Sequence, residues 1–190
     1  TPQNILRSVV GSGCDFINVS HKVHKQLHKD KEFRFSFSMA ELMLIKNWST
    51  QQRIVYRVVR VLYKMSLNKG KRESHLCTYY FKTLMLWAVD TRPQRSWDDI
   101  MDSTRHILLE MIRCLKNKCL PHHFIPSNNL LDHLNTVDLT DDSNALTKII
   151  QTLKVLTLQR YRPNLTNIQL HPLTIFYLIS DADLNSSMNR

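Results

Sequence analysis

The residues with the most chemistry in the least chain are Thr78-Tyr79-Tyr80-Phe81-Lys82, a hydroxyl, aromatic rings and an ammonium within about one helical turn. Such a set can stack on a nucleobase and hold its phosphate, because an aromatic face accepts any base and lysine supplies charge. Tyr80 and Phe81 flank an apolar face and read as core. Tyr79 and Lys82, three apart, share another side of the same helix. A second set is the basic stripe Arg53, Arg57, Arg60 and Lys64, whose spacing of four, three and four aligns the charges along one side of a helix. An anionic partner would relieve their mutual repulsion, and a merely solvated face fits the same pattern.

Cys114, Cys119, His122 and His123 invite a zinc reading, but Cys-x4-Cys-x2-His-His is not the spacing of a standard finger. His21, His24 and His28 lack a carboxylate or cysteine to complete a set, so no metal site is expected. Gly11-Ser12-Gly13 resembles the opening of a nucleotidyltransferase site, which needs paired acids about ten residues downstream to hold Mg²⁺. That window reads Ile17-Asn18-Val19-Ser20-His21 and contains none. Phosphate-binding loops, Gly-x-Ser-x-Gly and His-Glu-x-x-His are absent from the sequence.

These residues need a scaffold, and the sequence describes a helical one. Hydrophobic residues are 43% and charged residues 22% of the 190, the balance of a chain that buries a core. Three glycines argue against an all-β fold and against most dinucleotide folds. The net charge of +10 favours polyanions such as nucleotides or nucleic acid. With no secretory signal, no apolar run of membrane-spanning length and four scattered cysteines, an intracellular protein is expected, cytoplasmic or nuclear.

Helix starts punctuate the chain. Ser38 to Glu41 forms a capping box, Ser49 or Thr50 opens a helix with Ile54, Val58, Val61, Leu62 and Met65 inward, and Asn68-Lys69-Gly70 ends it. Ser74 opens the helix of Tyr80, Leu84 and Trp87, and Ser96 to Asp99 begins one running to about Lys118. Pro121 to Pro126 is a connector, and Ser127 caps a short helix with Leu130, Leu131 and Leu134. Further helices follow Asp141-Asp142-Ser143 and Pro172. The expected fold is all-α, a helical bundle.

The order of motifs resembles the cyclic GMP–AMP synthase-like, male-abnormal (Mab twenty-one) family. Phe33-Arg-Phe-Ser-Phe-Ser, the basic helix, Cys77-Thr-Tyr-Tyr-Phe-Lys-Thr83 and Phe124-Ile-Pro-Ser-Asn-Asn-Leu130 are similar to that family's helical half, in the same order. The resemblance implies an HhH/H2TH-like C-terminal lobe of a nucleotidyltransferase-fold protein over residues 33–135. Residues 1–32 would then be a linker or N-terminal remnant, and 136–190 a helical extension. It further implies that the lobe walls one side of a nucleotide cleft. Tyr79 would stack on a base, Thr78 contact the nucleotide, Lys82 match the motif lysine and Arg57 take the place of a cleft lysine. Arg53, Arg60 and Lys64 would face double-stranded nucleic acid.

The zinc ribbon of the DNA-sensing synthases is missing between Trp48 and Gln52, so that binding mode is not implied. The catalytic acids would belong to a separate N-terminal nucleotidyltransferase lobe, the partner that this chain lacks. Mg²⁺ and a nucleoside triphosphate would serve the intact protein, with no cofactor held by this chain, which is not expected to be an enzyme alone. Torn from that lobe, the chain would expose an apolar face beside Tyr80 and Trp87. A non-catalytic interaction module that has lost nucleotide binding is the alternative.

Overall fold

The structure, a computed structural model, describes residues 3–18, 33–68 and 76–161. Among them are six α-helices and one two-stranded sheet, so the chain is all-α in character. They fall into two compact units, divided between Ser49 and Thr50.

The first unit holds α1 (Gln3–Ser12), β1 (Asp15–Asn18), β2 (Phe33–Ser36) and α2 (Ser38–Lys46). Gly13, at φ +65, turns the chain from α1 into β1, a left-handed position that glycine adopts without steric cost. Gly11-Ser12-Gly13 therefore ends a helix. β1 and β2 pair antiparallel, with Phe16 opposite Phe35 and their ring centroids 5.0 Å apart. These strands are an addition to the helical expectation. The alternation Phe33-Arg34-Phe35-Ser36 is a strand pattern, but its partner Asp15-Phe-Ile-Asn18 carries little pattern of its own. Ser38 is the first residue of α2 and not its cap: Phe37 occupies the cap position without a side-chain hydrogen bond.

The second unit is built around α5 (Ile100–Lys116), which packs against α3 (Thr50–Asn68), α4 (Thr78–Thr91) and α6 (Thr136–Tyr161). Ile107, Leu108 and Met111 of α5 are wholly buried, as are Val55 and Val59 of α3 and Phe81 and Met85 of α4. On α3 the buried apolar residues are Val55, Val58, Val59 and Tyr63, while Ile54, Val61 and Leu62 are half-buried. The inward face is thus rotated from the expected one. Tyr63 explains the rotation: its ring lies 5.0 Å from that of Phe81 and its hydroxyl donates to the Leu76 carbonyl.

Other boundaries also differ from expectation. Asp99, not Ser96, caps α5, its Oδ1 accepting from the Asp102 N–H at 2.9 Å. Ser96 and Trp97 belong to a 3-10 turn (Gln94–Trp97), where the Arg92 guanidinium lies 4.6 Å from the centroid of the fully buried Trp97 ring. Asp141-Asp142-Ser143 lies inside α6, and Asn135 caps that helix by accepting from the Asp138 N–H at 2.8 Å. Leu130, Leu131 and Leu134 sit in turns and form no helix. The expected Ser74 start and Gly70 stop lie outside the described residues, as do the His21–His28 cluster and the helix after Pro172.

Among the described residues no exposed apolar face stands beside Tyr80 and Trp87, contrary to expectation. Tyr80 is buried and Trp87 half-buried. Exposed aromatics stand instead on the two strands, at Phe16, Phe33 and Phe35.

Candidate functional site

The first turn of α4 carries three of the residues singled out by type. Tyr80 and Phe81 face the core, which leaves Thr78, Tyr79 and Lys82 half-buried on the other side of the helix. The Lys82 ammonium lies 5.0 Å from the centroid of the Tyr79 ring, a cation–π contact across one turn. Cys77 occupies the cap position in an extended conformation, without a side-chain capping bond. Arg57 is exposed on the adjoining helix α3.

Tyr79 is tied by its hydroxyl to His122 Nε2 at 2.8 Å. The other ring nitrogen, Nδ1, accepts from the backbone N–H groups of Phe124 and Ile125, each at 3.1 Å. A nitrogen that accepts twice carries no proton, so the neutral ring holds its proton on Nε2 and donates it to the Tyr79 oxygen. His122 is itself buried.

Asn129 builds the loop that presents His122. Its Oδ1 accepts from the backbone of Leu120 at 2.8 Å and of Leu131 at 3.2 Å, and its Nδ2 donates to the Lys118 carbonyl at 2.8 Å and to Asp132. The His122 N–H donates to the Asn128 carbonyl at 2.8 Å, and that of Leu130 to Leu120 at 2.9 Å. The loop grips α4 a second time, where Trp87 Nε1 donates to the Pro121 carbonyl and His123 Nε2 meets Asp90 Oδ2, both at 2.9 Å. His122 and Asn129 were visible in the sequence only as a metal candidate and as a residue of the Phe-Ile-Pro motif. Their roles arise from contacts between residues 43 and nine positions apart.

The Cys/His group takes up other tasks. Both His122 nitrogens are engaged and His123 pairs with Asp90. Cys114 is half-buried, and burial pushes its thiol up to about 11. Among the described residues no three His, Cys, Asp or Glu side chains come together to hold a metal ion.

The basic stripe is less uniform than its spacing. Arg53, Arg57 and Lys64 are exposed, whereas Arg60 is half-buried with its guanidinium 5.5 Å from the Tyr56 ring centroid. Arg60 therefore spends part of its side chain on packing.

A helical domain arranged in this way, with Phe-Ile-Pro-x-x-Asn pinned beneath a Tyr-bearing helix start, has a family. Residues 51–148, more than half of the chain and all within the second unit, match the Mab-21 protein HhH/H2TH-like domain, and the chain belongs to that family. It is 28% identical over 120 residues to "Protein mab-21-like 3" of Danio rerio, a match covering 61% of this chain and 31% of that protein. It is 33% identical over 78 residues to "Protein mab-21-like" of Aedes aegypti, covering 40% of this chain and 21% of the relative. A "Cyclic GMP-AMP synthase-like receptor" of Tribolium castaneum is 26% identical over 123 residues, 63% of this chain and 28% of the receptor. The chain thus spans about a third or less of the length of these relatives. No helix among the described residues is long and apolar enough to cross a membrane.

Proposed function

We propose that this domain is one wall of a nucleotide cleft, with Tyr79 stacking on a base, Thr78 and Lys82 contacting the nucleotide, and Arg57 reaching its phosphates from α3. The observation that carries the reading is the first turn of α4, where an aromatic ring and an ammonium are placed together and the ring is anchored through its hydroxyl. Arg53, Arg60 and Lys64 extend a basic surface along α3 toward double-stranded nucleic acid. The catalytic acids, Mg²⁺ and nucleoside triphosphate chemistry belong to a nucleotidyltransferase lobe that closes the cleft from the other side, so the domain is not catalytic alone. Similarity to a relative named for cyclic GMP–AMP synthesis supports that arrangement. The exposed Phe16, Phe33 and Phe35 fit a protein in which a further layer covers the strands.

Titration of ATP, GTP and short duplex RNA or DNA against salt, for the wild type and Tyr79→Ala, tests this. Saturable nucleotide binding that Tyr79→Ala abolishes is the expected result. Salt-sensitive polyanion binding indifferent to Tyr79→Ala would leave only the basic surface. Binding of neither kind would favour a protein-interaction module that has lost nucleotide chemistry.

A further inference from the structure

We propose that His122 is the positioning residue of this site, a hydrogen-bond donor of fixed tautomer that holds the Tyr79 ring in its stacking orientation. The inference rests on the reading of Tyr79 as the base-stacking residue.

A tyrosine has two side-chain torsions, and ordering a ring about them costs conformational entropy. A ring already held in the bound orientation does not lose that freedom when a ligand arrives, and preorganisation of this kind appears directly as affinity. His122 provides the hold at 2.8 Å. The grip depends on which nitrogen carries the proton, and two backbone N–H groups aimed at Nδ1 decide it. Those N–H groups belong to Phe124 and Ile125, so the Phe-Ile-Pro turn serves to set the tautomer of the histidine that precedes it. The chain of dependence runs from Asn129, which closes the loop, through His122 to the ring.

The two jobs of His122 can be separated. Asparagine at 122 keeps an acceptor near the two backbone N–H groups, as in an Asx turn, but is too short to reach Tyr79. His122→Asn therefore preserves the loop and releases the ring. Tyr79→Phe releases it from the other side by removing only the hydroxyl.

The experiment measures Kd for ATP and GTP in the wild type, His122→Asn, Tyr79→Phe and the double variant, with melting temperatures. It also records the imidazole nitrogen-15 spectrum at neutral pH, the His122 signal being the one that His122→Asn lacks. We expect a single tautomer protonated on Nε2. Each single variant should raise Kd about three- to tenfold, the range of one hydrogen bond's net contribution. The double variant should show no further loss, and His122→Asn should melt near the wild type.

Wild-type affinity in His122→Asn, losses that multiply in the double variant, or a proton on Nδ1 would each overturn the proposal. Should His122→Asn fail to fold, Tyr79→Phe decides the matter, and unchanged affinity there overturns it. If the wild type binds neither nucleotide, the cleft reading fails and the ligand half of this inference with it. The nitrogen spectrum then still judges the tautomer lock by itself.

Discussion

The side-chain oxygen of Asn129 accepts the backbone N–H of Leu120, nine residues earlier, at 2.8 Å, and Leu120 is buried. Leu131, equally buried, donates to the same oxygen. Alanine at 129 would leave both N–H groups without their acceptor. We expect Asn129→Ala to destabilise the second unit by about 2–4 kcal/mol, the cost of stranding buried donors. Asn129→Asp, which keeps the acceptor but loses both donor bonds and faces Asp132, should lose less than alanine. Urea unfolding of the three proteins under one set of conditions measures this.

Arg53 and Lys64 are exposed on α3. If they meet the phosphates of a duplex, Arg53→Gln and Lys64→Gln should each lower the slope of log affinity against log salt by about one. Stability should shift by no more than about 0.5 kcal/mol, as is usual for surface positions. An unchanged slope in both variants would remove α3 from the nucleic-acid surface.

Burial pushes the Cys114 thiol from its ordinary value up to about 11. The thiolate is the nucleophile, so at pH 8 iodoacetamide should label exposed Cys14, Cys77 and Cys119 well before Cys114. The unfolded thiol ionises first as pH rises, so this contribution is whole below about 9 and is lost as pH climbs toward 11. Cys114→Ala should flatten that alkaline loss in a pH series of melting temperatures.

His106 is pulled below its ordinary value, chiefly by burial and next by the Arg92 guanidinium. On acidification the unfolded chain takes up this proton before the folded one. Stability should fall as pH drops through about 6.5, and the fall should be shallower in His106→Gln. Melting temperatures from pH 8 to pH 5 for both proteins provide the comparison. Equal slopes would show that His106 contributes nothing to acid sensitivity.

Periodicity made α3, α4 and α5 legible in the sequence, along with the inward turn of Tyr80 and Phe81. Cap positions were less legible, because Ser96 and Asp99 are both good caps. The choice of Asp99 depends on burial of Trp97 under Arg92, a contact that spacing does not reveal. Asn135 and the acidic pair at 141–142 are equally good caps by type, and local residue type is ambiguous where several polar residues follow one another. Thr78, Tyr79 and Lys82 could be grouped by helical arithmetic. His122 could not, since its link to Tyr79 needs the loop closed by Asn129 and the packing of α4 on α5.

The central place of α5 separates two timescales of opening. Its buried residues Ile107, Leu108 and Met111 pack among helices on several sides, so the amides of that turn should exchange with solvent only when the whole unit comes apart. The loop from Lys118 to Asp132 hangs from the end of that helix on side-chain hydrogen bonds, many of them to a single asparagine. Its amides can exchange by a smaller excursion that leaves the helices intact. The loop's hold on the Tyr79 ring would thus come and go many times within the lifetime of one folded domain, and a ligand that stacks on that ring should slow exchange in the loop while leaving α5 unchanged.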